Sequence, residues 1–504
     1  MAAAGYDTRM ENEIPKEIHS IAATLEKAGH KAYLVGGCVR DLLLRRTPAD
    51  WDIATDATPE KIQKLFPQSV YENLFGTVGV KTQNEKGETV VVEATTFRRE
   101  GKYTDKRHPE EIRFTKTIEE DLARRDFTVN AMALDINKRL VDPYGGEKDL
   151  RDGVIRAVRD PRERFSEDAL RLLRAVRLAA QLGFRIEEKT KEAMQELAGT
   201  IRAIARERVR DESVKLLMTA RAADGIRELL RTGLLAHIFP ELATGVGVEQ
   251  NQHHIYDVFE HNVRSLEYAA KKEYSFVIRL AALFHDVGKP KARRWRASAK
   301  AKKMKDGVRG DYTFYGHQIV GARMAENILS RLCFSREVID RVVLLVREHM
   351  FVYDPEAVTL AGVRRLLSRV GAKNMDDLIK LREADRIGSG VPKAQPYRLR
   401  FLQAMLEKVK TDPVSPKMLA IRGDEVMKIA KIEPSPRVGW IIAVLLDEAL
   451  DDPAKNTKEA LIARVRELAA IPNARLRALA DRGKETAAKA QEKIDEEIKK
   501  KYFV

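Results

Sequence analysis

The chain has 504 residues, too many for one hydrophobic core, so three or four domains are expected. Hydrophobic residues make up 44 % and charged residues 33 %, which is ordinary for a soluble, helix-rich protein. No apolar run approaches the length of a membrane span, and the polar N-terminus is unlike a secretory signal. We therefore expect a cytoplasmic protein without membrane contacts.

Charge and cysteine content narrow the function further. The net charge of +15 favours a polyanionic partner, because lysine and arginine release counterions from a phosphate backbone. A solvated basic surface without a specific partner is the alternative. Aromatic residues, at 6 %, are too sparse for a protein that binds single strands mainly by stacking, so a folded RNA is the more compatible partner. Cys38 and Cys333 are the only cysteines, which excludes a disulfide framework and a cysteine zinc site.

The first predicted strand, Tyr33–Val35, ends at two glycines. Gly36 and Gly37 let the backbone approach a ligand closely, and their N–H groups can face phosphate oxygens at the start of a following helix. Asp50 and Asp52 come next; in a strand they would point to the same side and repel each other unless a divalent cation lay between them. Each feature alone is common on surfaces. Together they predict a metal-dependent enzyme that acts on a nucleoside triphosphate.

Further polar residues follow within the same region. Glu93 lies in the predicted strand Thr89–Thr95, where an acid is costly unless it is paired or ligates a metal. We interpret it as a third acid that orients or deprotonates an attacking hydroxyl; an edge-strand residue facing water is the alternative. Arg124-Arg125-Asp126 then offers two guanidinium groups for a triphosphate and a carboxylate for a ribose 2′-hydroxyl.

From Pro161 onward the apolar residues recur at helical spacing. Within the helix predicted over Glu167–Arg177, Asp168 and Arg171 lie three residues apart on one face. An acceptor beside a donor matches the edge shared by cytosine and adenine, whereas uracil and guanine present the reverse order. The pair therefore predicts selection of C and A, since a wrong base would leave buried groups unpaired. An intrahelical salt bridge is the alternative.

Taken together, these features resemble the class II tRNA nucleotidyltransferases of the polymerase-β-like superfamily, which include the CCA-adding enzymes and the bacterial poly(A) polymerases. The resemblance covers roughly residues 25 to 245. It implies a protein with head, neck, body and tail that extends tRNA 3′ ends with CTP and ATP. The motifs that support it are, in chain order, Gly36-Gly37-x-x-Arg40-Asp41, Asp50-x-Asp52, Arg124-Arg125-Asp126, Asp142-Pro143-x-Gly145-Gly146 and Glu167-Asp168-x-x-Arg171.

The resemblance also implies roles for individual residues. Asp50 and Asp52 would hold two Mg²⁺ ions, with Glu93 as the third catalytic acid, for in-line displacement at the α-phosphate. The implied substrate contacts are Gly36, Gly37, Arg40 and Arg125 to the triphosphate, Asp126 to the ribose, and Asp168 and Arg171 to the base, with Arg174 and Arg177 beside them.

The branch within this family depends on two segments. Gly76-Thr77-Val78-Gly79-Val80 is similar to the CCA-adding branch, whereas poly(A) polymerases have Gly-Arg-Arg-Phe followed by Leu-x-His. The segment Arg98–Phe114, with Gly101-Lys102-Tyr103, resembles the flexible loop of full CCA-adding enzymes. An A-adding enzyme or a poly(A) polymerase stays the alternative, because an A-adding enzyme would share the same motifs.

A second set of candidate ligands lies in the helical block from Ile255 to about Gly390. Neutral imidazoles with carboxylates form a metal-ligand set, and an apolar helix is expected to end at the adjacent His285 and Asp286. This series resembles the HD phosphohydrolase superfamily, which implies a divalent metal of unspecified identity and phosphatase or 2′,3′-cyclic phosphodiesterase activity through a metal-bound water. A retired domain whose histidines merely pack is the alternative. The candidate metal ligands are His261, His285, Asp286, His317, His349 and Asp385.

The predicted fold class is α+β, with a small mixed β-sheet nucleotidyltransferase head followed by predominantly α-helical neck, HD and tail domains. The expected bounds are 1–155 for the head, 156–245 for a base- and RNA-binding neck, 250–390 for the HD domain and 395–504 for a helical RNA-binding tail. A further strand is expected at Ala131–Leu134 and a turn at Asp142–Gly146. The densely basic residues 291–310 predict a loop and a candidate RNA contact.

Two other classes of protein compete with this interpretation. PII-type protein uridylyltransferases also join the nucleotidyltransferase core to an HD domain, but they use UTP and have C-terminal domains that contain strands. A non-catalytic RNA-binding module would tolerate loss of Asp50 and Asp52, yet both are present. The sequence indicates no oligomeric state.

Overall fold

The computed structural model describes residues 14–71, 76–100, 112–250, 255–297, 310–409, 412 and 415–481, and the statements below refer to these residues. They fall into two compact units, Met1–Ala243 with Arg331–Cys333, and Thr244–Ser330 with Phe334–Val504. Within the described ranges, no helix combines the length and the apolarity that crossing a bilayer requires.

The first unit begins with a seven-stranded sheet in the order β3-β4-β5-β2-β1-β8-β9. The β2–β5 pair is parallel and the other pairs are antiparallel, so the sheet is mixed, as predicted. The elements are α1 (Lys16–Lys27), β1 (Ala32–Val35), α2 (Gly37–Leu43), β2 (Asp52–Thr55), α3 (Pro59–Leu65), β3 (Ser69–Tyr71), β4 (Thr77–Gln83), β5 (Thr89–Thr96), β6 (Arg98–Glu100), β7 (Ile112–Phe114), α4 (Ile118–Ala123), β8 (Ala133–Asp135), β9 (Leu140–Val141) and α5 (Gly146–Asp152).

One face of this sheet packs on α4. The buried cluster there joins α4 to β1, β2 and β8. The predicted strands at residues 33–35 and 89–95 are confirmed, each extended by one residue. The third begins two residues later than predicted, because Thr128–Asn130 forms a 3₁₀ turn that ends at Ala131. The cluster consists of Val35, Ala54, Phe97, Ile118, Leu122 and Ala133.

Helices make up most of the rest of the first unit. Residues 154–155 and 185–186 pair as two short parallel strands. The helix α7 packs on α9 and α10. The elements are β10 (Val154–Ile155), α6 (Pro161–Glu167), α7 (Leu170–Leu182), β11 (Arg185–Ile186), α8 (Glu188–Leu197), α9 (Arg206–Leu217), α10 (Ala222–Arg231), α11 (Leu235–Ile238) and α12 (Pro240–Ala243).

The second unit is helical apart from one β-hairpin among its described residues. Its first part packs α13 against α14 and α19, and α14 is buried along its length because its sequence is almost wholly apolar. The elements of this part are α13 (Val258–Lys271), α14 (Phe276–Phe284), α15 (Lys289–Ala292), β12 (Arg294–Ala297), β13 (Gly310–Thr313), α16 (His317–Arg331), α17 (Arg336–Glu348), α18 (Leu360–Val370) and α19 (Ala372–Gly388).

The C-terminal part of this unit has a separate apolar core that includes Val426, Leu445 and Val465. Its described residues form only helices and turns, as predicted for the tail. The α+β fold class is therefore confirmed. The elements are α20 (Tyr397–Lys408), α21 (Gly423–Ala430), α22 (Pro436–Asp451) and α23 (Lys458–Ala469).

Two predicted segments lie partly outside the described residues. For the predicted flexible loop, only its ends are described, where Arg98–Glu100 pairs with Ile112–Phe114; Gly101-Lys102-Tyr103 lies outside. The predicted basic loop at residues 291–310 is wrong at both of its ends. Residues 294–297 pair with 310–313 as an antiparallel hairpin, whereas 298–309 lie outside the description.

Candidate functional site

A cavity of about 560 Å³ in the first unit brings together the head and neck residues that the sequence singled out, except Gly36 and Glu93. Its lining is dominated by charged side chains from α2, the start of β2, α7, α9 and the segment between α4 and β8. The lining residues are Gly37, Cys38, Arg40, Asp41, Ala49, Asp50, Asp52, Arg124, Arg125, Asp126, Asn130, Asp168, Leu170, Arg171, Arg174, Arg177, Leu178, Gln181, Arg208 and Lys215.

Gly36 forms the turn between β1 and the first turn of α2. Its φ is +78°, a conformation that side chains disfavour. A Cβ here would also lie 2.8 Å from Nη1 of Arg125 and 3.7 Å from Oδ2 of Asp52. Gly36 therefore lies beside two residues of the cavity, and a side chain here would require Arg125 to move, whereas 3.7 Å from Asp52 is an ordinary contact.

Asp50 and Asp52 both line the cavity, but only Asp52 belongs to β2. The prediction that both lie on one side of a strand is wrong for Asp50. The reason is that β1 turns away at Gly36, so residues before Asp52 have no strand partner on that side. Burial raises the pKa of Asp52, Arg125 opposes this rise, and the neighbouring charge of Asp50 adds to it.

Glu93 lies beside Asp52 in the register of the parallel β2–β5 pair. The strand β5 is interior to the sheet, between β4 and β2, so the alternative that Glu93 is an edge-strand residue is wrong. Its side chain is nevertheless exposed. Because residues that face each other in register project from the same side of a sheet, Glu93 is on the face that bears Asp52.

Two arginines that line the cavity, Arg40 and Arg125, donate to nearby carboxylates. Arg40 is buried, and it donates from Nε and Nη2 to the carboxylate of Asp41, at 2.9 and 3.0 Å. Its Nη1 donates to Oδ1 of Asn130 at 2.8 Å. Arg125 donates to Oδ2 of Asp121 at 3.3 Å. Although burial opposes it, Arg124 and Arg125 hold the pKa of Asp121 below its ordinary value.

Asp126 is clamped by an arginine from the next helix. Nε and Nη2 of Arg174 donate to its Oδ2 at 2.8 and 2.6 Å, and the Phe127 N–H donates to Oδ1 at 2.8 Å. Burial raises the pKa of Asp126, but Arg174 outweighs this and leaves it well below its ordinary value. The structure thus joins two residues that the sequence assigned separately, to a ribose contact and to the surroundings of the base.

Asp168 does not lie in a helix, so the prediction that it shares a helical face with Arg171 is wrong. It stands in extended conformation between α6 and α7, and its Oδ1 accepts from the Leu170 N–H at 3.0 Å. The alternative of an intrahelical salt bridge between the two is also wrong. Asp168 accepts from Nη2 of Arg208 at 2.8 Å, whereas Arg171 donates to Oε2 of Glu167 at 2.6 Å.

The charged residues on one face of α9 were not predicted from the sequence as part of the site. Arg208, Glu212 and Lys215 recur at intervals of four and three residues, a spacing that places them together on one side of a helix. Glu212 is buried, and Nε of Arg177 donates to it at 2.6 Å. Its other oxygen is 3.9 Å from Nη1 of Arg174. Arg208 of α9 thus contacts Asp168, and Glu212 of α9 contacts Arg174 and Arg177.

In the second unit the six predicted metal ligands lie together and are buried. Asp286 is at the centre. Its Oδ2 is 3.1 Å from Nε2 of His261 and 3.4 Å from Nε2 of His285, while its Oδ1 is 3.1 Å from Nε2 of His317 and 3.6 Å from Nε2 of His349. Two possible metal-binding groups result, and they share Asp286.

Asp385 completes the first of these groups. Its Oδ1 is 3.3 Å from Nε2 of His261 and 3.5 Å from Nε2 of His285. It comes from α19, whereas the adjacent His285 and Asp286 follow α14, as the apolar pattern predicted. A Cβ on Gly288 would lie 2.2 Å from the His317 carbonyl oxygen, so this glycine lets the turn after Asp286 pack on α16.

Three of the imidazoles are oriented by the backbone. Nδ1 of His285, His317 and His349 lies 2.9, 2.7 and 2.7 Å from a carbonyl oxygen three residues earlier. A carbonyl only accepts, so Nδ1 carries the proton, and in the neutral imidazole Nε2 is then the atom left to bind a cation. Converging lone pairs with two carboxylates fit a divalent cation better than a packed core, in which these groups would compete for protons.

Lys289 and Arg382, which were not predicted as site residues, contact the carboxylates of Asp286 and Asp385. Nζ of Lys289 is 2.6 Å from Oδ2 of Asp286, and Nη1 of Arg382 is 2.5 Å from Oδ2 of Asp385. Burial raises the pKa of both carboxyls, but these cations outweigh burial and hold each pKa well below its ordinary value. Both carboxylates therefore stay ionised.

Family models match three parts of the chain. The "Poly A polymerase head domain" matches residues 32–156, the "Probable RNA and SrmB- binding site of polymerase A" matches 183–245, and the "HD domain" matches 258–387. The first model spans the cavity residues of the head and the second spans those of α9, whereas the cavity residues of 157–182 lie between the two matches. The third spans the six clustered ligands.

Named relatives agree with these models. The chain is 44 % identical over 234 residues to the CCA-adding enzyme of Anoxybacillus flavithermus, covering 46 % of this chain and 57 % of the relative. It is 43 % identical over 219 residues to that of Geobacillus sp. strain WCH70, covering 43 % and 53 %. The chain thus spans about half the length of these curated relatives.

A solved structure extends the similarity beyond the aligned sequences. The crystal structure of the Bacillus stearothermophilus CCA-adding enzyme in complex with CTP superposes with a TM-score of 0.66 at 26 % identity. The match covers 90 % of this chain and 96 % of that chain.

Proposed function

We propose that the chain is a class II nucleotidyltransferase related to the CCA-adding enzymes, with an HD domain following the head and neck in sequence, and that it builds or repairs the 3′-terminal CCA of tRNA from CTP and ATP. The observation that supports this most is a charged cavity in the first unit. Asp50, Asp52, Arg125, Asp168 and Arg171 are among the residues that line it.

The reaction needs an in-line attack of the tRNA 3′-hydroxyl on the α-phosphorus of the triphosphate. The new P–O bond forms as the bond to the β-phosphate breaks, and pyrophosphate leaves. Asp50 and Asp52 would hold divalent cations, proposed to be Mg²⁺, which lower the pKa of the attacking hydroxyl and neutralise the leaving group when bound. Burial raises the pKa of Asp52 and the charge of Asp50 adds to this rise, so a cation bound between the two carboxylates would favour their ionised forms.

The remaining residues position the substrates. Glu93, beside Asp52, is proposed to accept the proton of the 3′-hydroxyl. Arg40 and Arg125 would contact the triphosphate over the turn at Gly36 and Gly37, and Asp126 the ribose. Catalysis then comes mainly from positioning and from stabilised charge.

Base selection is assigned to Asp168 and Arg171, with Arg174 and Arg177 beside them. Both line the cavity, and each is held by a different partner, so neither neutralises the other. A carboxylate acceptor and a guanidinium donor kept apart in this way can each bond the edge of a base. Cytosine and adenine satisfy both groups, whereas uracil would face the carboxylate with a carbonyl.

A-only or poly(A) addition is the competing activity, because it would use the same residues. The deciding experiment incubates the protein with a tRNA transcript that lacks CCA, and with CTP and ATP separately and together. We expect two C residues with CTP alone and completion to CCA when ATP is added. Long A tracts without prior C would instead establish poly(A) addition.

Protein uridylyl transfer is disfavoured by two observations. The proposed base contacts reject uracil, and the described C-terminal residues 395–409, 412 and 415–481 form helices and turns rather than strand-containing sensor domains. Transfer from UTP to a protein substrate, with none to tRNA, would overturn this preference.

The second unit supports a second activity, metal-dependent phosphohydrolase or 2′,3′-cyclic phosphodiesterase chemistry. His261, His285, Asp286 and Asp385 would hold one divalent cation, and Asp286, His317 and His349 a neighbouring one. A cation bound there would supply an activated water for attack on phosphorus. The backbone contacts of three Nδ1 atoms favour this activity over a retired domain, because they leave each Nε2 facing one of the two groups that share Asp286.

The finer domain division stays a proposal, with the head at 1–155, the neck at 156–245, the HD domain at 250–390 and the tail at 395–504. A cytoplasmic location is likewise proposed, on the grounds that tRNA and nucleoside triphosphates are its expected substrates.

Replacing Arg208 by alanine is expected to relax base selection. Without this partner the Asp168 carboxylate is free to turn, so the preference for CTP over UTP should fall about tenfold. The measurement is the ratio of kcat/KM for the two nucleotides on tRNA lacking CCA, which loss of stability alone would not change.

Two variants control for this effect. Arg208→Lys keeps a cation near Asp168 and should recover part of the selectivity, whereas Arg210→Ala, on the same helix but paired with Asp211, should leave the ratio within about twofold. An unchanged ratio in Arg208→Ala would show that Arg208 does not position Asp168.

Replacing Gly36 by alanine is expected to lower kcat/KM for CTP at least about tenfold, because the new Cβ displaces the Arg125 guanidinium. The matched control is Gly87→Ala, whose φ of +79° is similar but whose Cβ would meet nothing within 4 Å. Both variants place a Cβ at positive φ and should lose stability, so kcat/KM is compared only under conditions in which both are folded. Equal kinetics in the two variants would contradict the proposed contact of Arg125 with the triphosphate.

A further inference from the structure

The β12–β13 hairpin of the second unit carries an aromatic pair, of which Trp295 is exposed and Tyr312 half-buried. Trp295 and Tyr312 face each other across the two strands, with ring centroids 5.3 Å apart and planes at 69°. The guanidinium carbon of Arg293 lies 3.5 Å from the centroid of the Tyr312 ring. Trp295 is nonetheless 57 % exposed. An indole that is supported on one side and open on the other is unusual in a chain with only three tryptophans.

This hairpin is anchored on both sides in the HD metal-ligand cluster. Before β12, Lys289 contacts Asp286, with Nζ 2.6 Å from Oδ2. After β13, the carbonyl oxygen of Phe314 lies 2.7 Å from Nδ1 of His317 and so fixes a metal ligand. Nζ of Lys289 is also 5.9 Å from the centroid of the Phe314 ring, which ties the two strands together at their base. Trp295 and Tyr312 are therefore each within six residues, along the chain, of a side chain that belongs to the cluster or contacts it.

The charge of the hairpin selects the class of ligand. The segment from Lys289 to Ala297 contains five cationic residues and no acidic one. A positive segment attracts phosphates, and an exposed ring beside it offers a face on which a base can stack. An acidic peptide would satisfy the charge but leave the indole without a use, and a membrane would need a larger apolar surface.

We propose that Trp295 and Tyr312, with Arg293, form a stacking platform that holds an RNA 3′ end for hydrolysis of its terminal phosphate at the HD cluster. This rests on the proposed phosphohydrolase activity and names its substrate class. The base at the RNA end stacks on Trp295, the cations contact the backbone phosphates, and the terminal phosphate ester reaches the cluster. Water attacks phosphorus, the ester P–O bond breaks, and the freed hydroxyl takes the proton.

The first test compares an RNA substrate with a small one. The full-length protein loaded with a divalent metal is given a hexaribonucleotide ending in a 2′,3′-cyclic phosphate, and separately bis-p-nitrophenyl phosphate, which has no base to stack. The ratio of kcat/KM for the RNA to that for the small ester is expected to fall about tenfold in Trp295→Ala. The control Tyr397→Ala removes an aromatic residue that is 65 % exposed elsewhere in the unit, and should change the ratio less than twofold.

A second test does not depend on turnover. RNA of the same length with 5-iodouridine at its 3′ end is photocrosslinked to the protein, and the adducts are located by mass spectrometry. We expect adducts at Trp295 or Tyr312 in several-fold excess over Tyr397. If the wild-type protein hydrolyses neither substrate but this excess is found, the HD activity is wrong and the platform stands. A yield at the pair no higher than at Tyr397, or an unchanged kinetic ratio in Trp295→Ala, overturns the platform.

Discussion

Replacing Asp52 by alanine is expected to reduce nucleotide addition at least about a thousandfold while tRNA affinity stays within about twofold. The carboxylate lines the cavity beside Asp50 and would hold the cation that activates the 3′-hydroxyl, whereas we expect basic residues elsewhere to bind the RNA. The measurements are single-turnover addition of CTP to tRNA lacking CCA, and filter binding of the same tRNA. Asp50→Ala should behave in the same way.

Stability provides a check on this prediction. Burial already raises the pKa of Asp52, so its ionised form is held at a cost, and alanine should leave the Tm unchanged or slightly higher. Glu60→Ala removes an exposed acid on α3 and should leave addition within about twofold. Undiminished addition by a folded Asp52→Ala variant would end the case for a metal-dependent transferase at this cavity.

The residues of the cavity could be predicted because their identities carry the chemistry. Paired acids and a glycine turn are recognisable in the sequence without knowledge of their neighbours. The residues that hold these side chains in place could not be predicted. Arg208, for example, contacts Asp168 from a helix forty positions further along the chain. With 91 lysines and arginines in the chain, no single one stands out as a partner.

The error at Asp168 has a different origin. The apolar residues before and after it keep a helical period, so one continuous helix was expected over Glu167–Arg177. Aspartate, however, favours the start of a helix, where its side chain accepts a backbone N–H, and here it accepts that of Leu170. The break between α6 and α7 frees Asp168 to face the cavity. The preference of aspartate for helix starts could have predicted a break at Asp168, but the helical spacing of the apolar residues favoured a continuous helix.

The hairpin at β12–β13 shows the same limit for strands. Its basic residues are poor strand formers, so a loop was the natural expectation. The cross-strand contact of Trp295 with Tyr312 and the stacking of Arg293 supply the stabilisation that the backbone preference lacks. Contacts of this kind depend on pairing register, which a single sequence does not reveal.

Replacing Asp286 by asparagine is expected to weaken divalent metal binding at least about a hundredfold and to abolish phosphate-ester hydrolysis. Asp286 contacts both groups of imidazoles with different oxygens, and the neutral amide offers one weak oxygen in place of two charged ones. The readouts are calorimetric titration of the protein with Mn²⁺ and hydrolysis of bis-p-nitrophenyl phosphate. Addition of CTP to tRNA should persist, because its residues belong to the first unit.

The same change removes the carboxylate partner of Lys289, so lost stability could imitate a lost ligand. Lys289 still donates to Oε1 of Gln250 at 2.6 Å, but its buried charge loses its counter-charge. The cost is at most about 3–5 kcal/mol, and the Tm should fall accordingly. The double variant Asp286→Asn/Lys289→Met removes both charges and should recover most of the Tm without recovering the metal. Asp376→Asn, which changes an exposed acid paired only with Lys380, controls for a change of charge on α19, the helix that bears Asp385. Restored metal binding in the double variant would show that Asp286 pairs with Lys289 rather than ligating a cation.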